Sequence, residues 1–287
     1  MALMIPQALN LNYYANNFPA TVPTGVTGFG TSVTAGASNA KGTAVSILTV
    51  TRDVHWLRVG FGGFNSASTN GSVLADILFD PAGGTAWQVL IPNLFAGNTQ
   101  FPDLDSTTTI QGVRWFDFPI FIPSGSSIGC QAATANAATL AGEVVLMVAG
   151  GSANPGAAFA GSSVETIGIA TADSGGTAHT AGASSSFSSW TNFGSTLARD
   201  AKGIIFAAMG EGDTAFSTNV YLFEFGVSGI TIGNPIMFCV FSSETSSIFA
   251  VQSFNPIALP AGTQLQVRGK CAGASPQPID VGAWAVS

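Results

Sequence analysis

The sequence predicts an all-β protein: two tandem antiparallel β-sandwiches of jelly-roll-like form. Three observations predict it. The apolar runs are short, rich in β-branched and aromatic residues, and punctuated by Gly, Pro, Asn and Ser, the pattern of antiparallel strands. No stretch of roughly a dozen residues combines helix caps with a 3.6-residue period. The second half of the chain repeats the first in order.

The repeat is read from five matches. Phe118–Gly125 aligns with Asn255–Gly262 at an offset of 137, which continues without a gap to Glu143-Val144 against Asp280-Val281. Thr34–Ser38 recurs as Thr180–Ser184 at an offset of 146, and Arg52-Asp53 recurs as Arg199-Asp200 at 147. Between these, Ile77–Asp80 resembles Tyr221–Glu224 at an offset of 144. The organisation expected is an N-terminal arm over 1–30, a first sandwich over 31–150, a linker over 151–163 and a second sandwich over 164–287. The seam, Gly150–Gly156, has a linker's composition. A unit of about 130 residues is an ordinary domain and can bury about two thirds of its unfolded surface.

Strands are expected over Val45–Val50, His55–Phe61, Val73–Phe79, Arg114–Ile122 and Glu143–Ala149. In the second unit they are expected over Gly203–Met209, Val220–Phe225, Ile236–Phe241, Ile248–Phe254, Gln264–Arg268 and Val281–Val286. Gln264–Arg268 alternates cleanly between polar and apolar. Leu140–Val148 could pass as a helix, but its counterpart Pro278–Val286 contains Pro and Gly, so a strand is expected. The repeated Pro-Ile-x-(Ile/Leu)-Pro-x-Gly element forms a corner: each Pro removes a ladder donor and Gly is free to take positive φ.

Composition narrows the function. The 8 Lys+Arg and 15 Asp+Glu give a net charge of −7, and only 8% of residues are charged, against about 25% in an ordinary domain. So few cations, thinly spread, argue against a nucleic-acid partner, which needs clustered Lys/Arg. A hydrophobic content of 46% argues against disorder. The most apolar stretch, Val144–Ala170, is broken by Asn154-Pro155, so no membrane-spanning helix and no membrane partner are expected. The start, MALMIPQALN, lacks a basic region and meets Pro6, so no secretory signal is expected. Cys130, Cys239 and Cys271 cannot all pair within the chain, and no Cys/His spacing suggests zinc. A surface of small neutral residues suits a subunit that covers much of itself in an assembly.

Phe118–Gln131 and Asn255–Arg268 resemble the Pro-hydrophobic-hydrophobic-Pro-x-Gly-(Ser/Thr) stretch of β-sandwich virion proteins of tailed bacteriophages. The resemblance implies a structural, non-enzymatic component of a virion. It would be a capsid surface or decoration (cement) protein forming a homo-oligomer, with a homotrimer favoured, beside partners such as a major capsid protein. Its implied location is the virion, after synthesis in the host cytoplasm. The alternative is a tail-tip or fibre protein that binds a host-surface glycan.

Candidate residues follow. The N-terminal arm has no charge before Lys41, and its Tyr13, Tyr14 and Phe18 could anchor on a neighbouring subunit. Arg52, Asp53, Arg199 and Asp200 are charges kept in both units of a charge-poor chain; a cross-strand or inter-subunit ion pair is expected, against a solvated turn. Trp87 and Trp190 lie beside loops and are the candidates for sugar contact, whereas Trp56, Trp115 and Trp284 are expected in the core. No catalytic residue, cofactor site or metal site is expected. Neither His55 nor His179 lies near a nucleophile motif. Asp103 with Asp105, and Asp76 with Asp80, are the only carboxylate pairs singled out, and both read better as solvated or structural groups.

Overall fold

A computed structural model describes residues 30–62, 64, 72–98, 114–150, 158–172, 175–209, 219–240 and 249–287. It is all-β. The first unit holds β1 (Thr31–Ala35), β2 (Val45–Thr49), β3 (Val54–Gly62), β4 (Ser72–Asp80), β5 (Gln88–Asn98), β6 (Arg114–Phe118), β7 (Ser127–Thr134) and β8 (Leu140–Gly150). They form two four-stranded sheets of order β1-β8-β3-β6 and β2-β7-β4-β5, with every ladder antiparallel. Eight strands in two interleaved four-stranded sheets make a jelly roll.

The second unit holds β9 (Val164–Ile167), β10 (Thr177–Thr180), β11 (Thr191–Asn192), β12 (Gly203–Met209), β13 (Asn219–Val227), β14 (Ile230–Thr231), β15 (Ile236–Val240), β16 (Phe249–Val251), β17 (Leu265–Cys271) and β18 (Pro278–Val286). Its sheets run β10-β18-β12-β16 and β11-β17-β13-β14, with β9 also on β18 and β15 also on β13. Strand for strand this is the same order, so the duplication extends to topology.

Registers match as well. Thr31 faces Val144 and Thr177 faces Val281, reproducing the offsets 146 and 137. Leu57 faces Val148 and Ile204 faces Ala285, which fixes 147 for β3 onto β12. The middle offset differs from the expected 144. Gln131 faces Asp76 while its counterpart Arg268 faces Glu224, so Glu224 corresponds to Asp76, at an offset of 148.

The repeated corner is a turn in both units. Gly125 and Gly262 sit at φ 87° and 82°. Their N–H groups donate to Val50 O and Leu197 O, each at 2.8 Å. The Arg-Asp pair completes the corner. Asp53 Oδ1 accepts from Ser124 N at 2.9 Å, and Asp200 Oδ1 accepts from Ala261 N at 2.8 Å.

Each sandwich has its own interior. In the first, Val33, Leu57, Val59, Phe61, Phe116, Phe118, Val144 and Leu146 face the opposite sheet. In the second, Phe206, Tyr221, Phe223, Phe225, Val267, Val281 and Ala283 do so. The first cluster also includes Val164, Ile205, Ala207, Trp284 and Val286 of the second unit. These lie on the outer face of the β10-β18-β12-β16 sheet, which packs against the flank of the first sandwich beside β5 and β6. Trp284 enters that flank and meets Phe116 edge-on, centroids 5.0 Å apart. Hydrogen bonds seal the seam: Phe121 N donates to Gly161 O at 2.8 Å, Gly161 N to Pro119 O at 3.0 Å, and Asn93 Nδ2 to Ile169 O at 3.1 Å.

Candidate functional site

The sequence-level candidates fall into four places. Tyr13, Tyr14 and Phe18 lie outside the described residues, as do Asp103 and Asp105. Arg52, Asp53, Arg199 and Asp200 sit exposed at the corners. Ion pairs among the described residues join other groups: Lys41 to Asp76, Arg58 to Asp117 and Arg268 to Glu224. Within the chain, the two aspartates act as acceptors that fix a turn. Arg199 Nη1 donates to Ser163 Oγ at 2.7 Å.

The histidines are placed apart. The His55 ring lies tilted against Phe121, with centroids 5.3 Å apart. His179 is buried, lies edge-on to Phe223 at 5.9 Å, and pairs through Nε2 with Ser188 Oγ at 3.0 Å. Burial pushes its pKa down. The carboxylates are engaged too. Asp76 accepts from Lys41 Nζ at 2.8 Å, Asn93 N at 2.9 Å and Gln131 Nε2 at 3.0 Å. Asp80 accepts from the backbone N–H groups of Ala82 and Ala86, which hold its carboxyl below the ordinary range. Among the described residues no three His, Cys, Asp or Glu side chains gather to hold a metal ion. No helix among them is long and apolar enough to cross a membrane.

The tryptophans correct one expectation. Trp284 is fully buried, but Trp56 and Trp115 are half-buried on the outer face of the first unit. Strand alternation puts them there, because Leu57, Val59, Phe116 and Phe118 take the inward positions. They flank Arg58, whose guanidinium lies 5.1 Å from the Trp56 ring and 5.8 Å from Trp115. Asp117 grips Arg58 at 2.7 and 2.9 Å, and this contact raises the Arg58 pKa.

Trp87 and Trp190 are half-buried on the outer face of the other sheet in each unit. They cover the same row. Gly129 faces Leu78 in the first unit, and its counterpart Gln266 faces Gly226 in the second. A Cβ at Gly129 would fall 3.0 Å from the Trp87 ring, and one at Gly226 would fall 2.8 Å from Trp190. The indoles reach this row from different connections, and the glycine sits on a different strand of the pair in each unit. Trp190 also lies 4.6 Å from the Arg268 guanidinium, with Phe187 at 4.4 Å. Both rings therefore already have partners within the chain.

Beyond this row the faces diverge. In the second unit Val220 is 41% and Met237 68% exposed, and Cys239 is exposed beside them. They share a face with Leu222, because Leu222 faces Met237 and Val220 faces Cys239. Ile230, at the nearby turn, is 70% exposed. In the first unit the counterpart of Leu222 is Leu74, which is buried. The open face of the second unit is the candidate interaction surface. Sequence reasoning missed it because an apolar residue in a strand reads as core until its partners are known.

The sequence matches no protein-family model and no curated protein. Similar solved structures include the crystal structure of the STIV MCP, with a TM-score of 0.35 and 11% identity over 90% of this chain and 96% of that one. PNGF-II matches with a TM-score of 0.32 and 8% identity over 85% of this chain and 59% of that one. The CBM22-1-CBM22-2 tandem domain of Paenibacillus barcinonensis Xyn10C matches with a TM-score of 0.22 and 12% identity over 85% and 82%. Likeness at this level adds nothing to what the strand order establishes.

Proposed function

We propose that this chain is a non-enzymatic structural subunit of a bacteriophage virion, set in or on the capsid lattice as a homotrimer. The observation that carries the reading is the pair of jelly rolls with one strand order, locked into one body by a shared core. Three such chains present six similar lobes, which suits a pseudo-sixfold position on a lattice. The charge-poor composition and the open apolar face of the second unit support it, because both suit surface that is covered on assembly. The work is mechanical: buried apolar area holds neighbours together. Partners are other copies of this chain and shell proteins such as a major capsid protein, and the location is the virion. The alternative, glycan binding at a tail tip through Trp87 and Trp190, is weaker because both indoles already have partners within the chain.

The test is the mass in solution by light scattering, with and without empty capsids. The expected result is a particle near three times 29.1 kDa that co-sediments with them. A monomer with no affinity for capsids overturns the reading. A glycan-binding screen of Trp87→Ala and Trp190→Ala against the unaltered chain would then test the alternative.

A further inference from the structure

We propose that copies of this chain join head to tail, the outer face of β3 and β8 in one copy receiving the β15–β16 flank of the next. The inference rests on the homo-oligomer reading above and adds which surfaces meet. It is drawn from the seam within the chain, because the duplication leaves each half of that seam with an unused counterpart.

One half of the seam is a face. Ile205 on β12 faces Trp284 on β18. Both are buried against the first sandwich, together with Ala207 and Val286. The offsets of 147 and 137 carry these four residues onto Arg58, Gly60, Met147 and Ala149 of the first unit. The ladders agree, since Arg58 faces Met147 as Ile205 faces Trp284. Here, however, Arg58, Met147 and Ala149 are only half-buried, as are Trp56 and Trp115 on the same face. Trp, Met and Arg are the side chains enriched where interfaces are most buried. The Arg58 charge is already matched within the face by Asp117.

The other half is a flank. Thr166 Oγ1 donates to Pro92 O, and Asn93 Nδ2 donates to Ile169 O at 3.1 Å. The next residues, Leu94 and Phe95, are fully buried and share a core with Ile169 and Ala172 of the second unit. The offset of 148 makes Leu222 and Phe223 the counterparts of Leu74 and Ala75. Phe95 faces Leu74 and Met237 faces Leu222, so Met237 corresponds to Phe95. Asn234 and Pro235 stand where Pro92 and Asn93 stand. In the second unit Asn234, Pro235 and Met237 are all exposed. Segments 232–240 and 249–257 carry no charged side chain, so covering this flank strips water from no ion of its own.

The folded chain therefore fills one face-and-flank pair and leaves the equivalent pair open. A second copy supplies both missing halves. Such a contact is heterologous, and it gives a ring if its rotation closes. Seam and contact relate successive units in the same way, so a closed ring leaves no face and no flank uncovered.

The test uses two variants of the full chain, Met147→Asp on the face and Met237→Asp on the flank. Light scattering should show a multimer for the unaltered chain and a monomer near 29.1 kDa for each variant alone. Mixed in equal amounts, the variants should form a heterodimer near twice that mass. One variant keeps an intact flank and the other an intact face, a rescue that an isologous contact does not give. A multimer in either variant, or a mixture that stays monomeric, overturns the proposal and leaves the homo-oligomer reading standing. A monomeric unaltered chain overturns both. A photo-cross-linker, p-benzoylphenylalanine in place of Met147, gives a second readout by peptide mass. The expected cross-link reaches residues 234–239 or 249–255 of another copy. A cross-link to other segments only, or none, also overturns the proposal.

Discussion

In the first jelly roll the Asp76 row lies buried under Lys41 and Asn93; in the second, the equivalent Glu224 is half-buried and the face beyond it is open at Val220 and Met237. Both rows carry an acid paired across the ladder, to Gln131 in one and Arg268 in the other. The difference teaches that duplicated halves keep what closes a sandwich and diverge in what faces outward. The first unit spends its outer polar groups on the seam, since Asn93 bonds both Lys41 and Ile169 of the other unit. The second leaves the same face exposed, with Val220 and Met237 at its surface.

The largest expected effect breaks the seam. Trp284→Ala should destabilise the protein by about 3–5 kcal/mol, as large-to-small core substitutions do. Scanning calorimetry should show one transition resolving into two as the lobes uncouple. Trp284→Phe should cost much less, because the indole N–H has no acceptor among the described residues. Next, Lys41→Met leaves the Asp76 carboxylate buried without its cation and should cost about 2–3 kcal/mol. Arg268→Met in the more exposed pair should cost about 1 kcal/mol by urea titration. Equal losses would mean the two faces are alike after all.

Smaller effects test the likeness. Asp53→Ala and Asp200→Ala each remove one acceptor from the same turn and should each cost about 1 kcal/mol, within error of one another. The smallest is a pH effect confined to the second unit, since the position equivalent to His179 is Val33. Burial lowers the His179 pKa below its unfolded value of about 6.5. The unfolded chain then binds more protons, so stability should fall as pH drops through and below about 6.5. In His179→Gln that part of the slope should vanish.

Much of this was legible in the sequence. The offsets 137, 146 and 147 hold in the ladders, and the Pro-x-Gly corners are turns. The expected offset of 144 for Ile77–Asp80 was wrong by four residues. An even slip leaves every side chain on its own face, so alternation alone cannot detect it. β1, β5, β7, β9–β11 and β14 were not anticipated, because their short, polar or interrupted runs carry little β pattern. Trp56 and Trp115 were misplaced for the opposite reason, since bulk suggested core where alternation pointed outward. The Arg-Asp repeat was seen, but its local role needed the distant Ser124 and Ala261.

The wedge at Trp284 has a consequence for the order of events on the ribosome. Phe116 and its flank leave the ribosome long before Trp284 is made. Until then the first jelly roll carries an unstoppered apolar side, and a truncated product keeps it for good. Vectorial synthesis thus makes a strand of the second unit the one that finishes the first lobe, and chains that stop short of Trp284 are marked by a sticky flank.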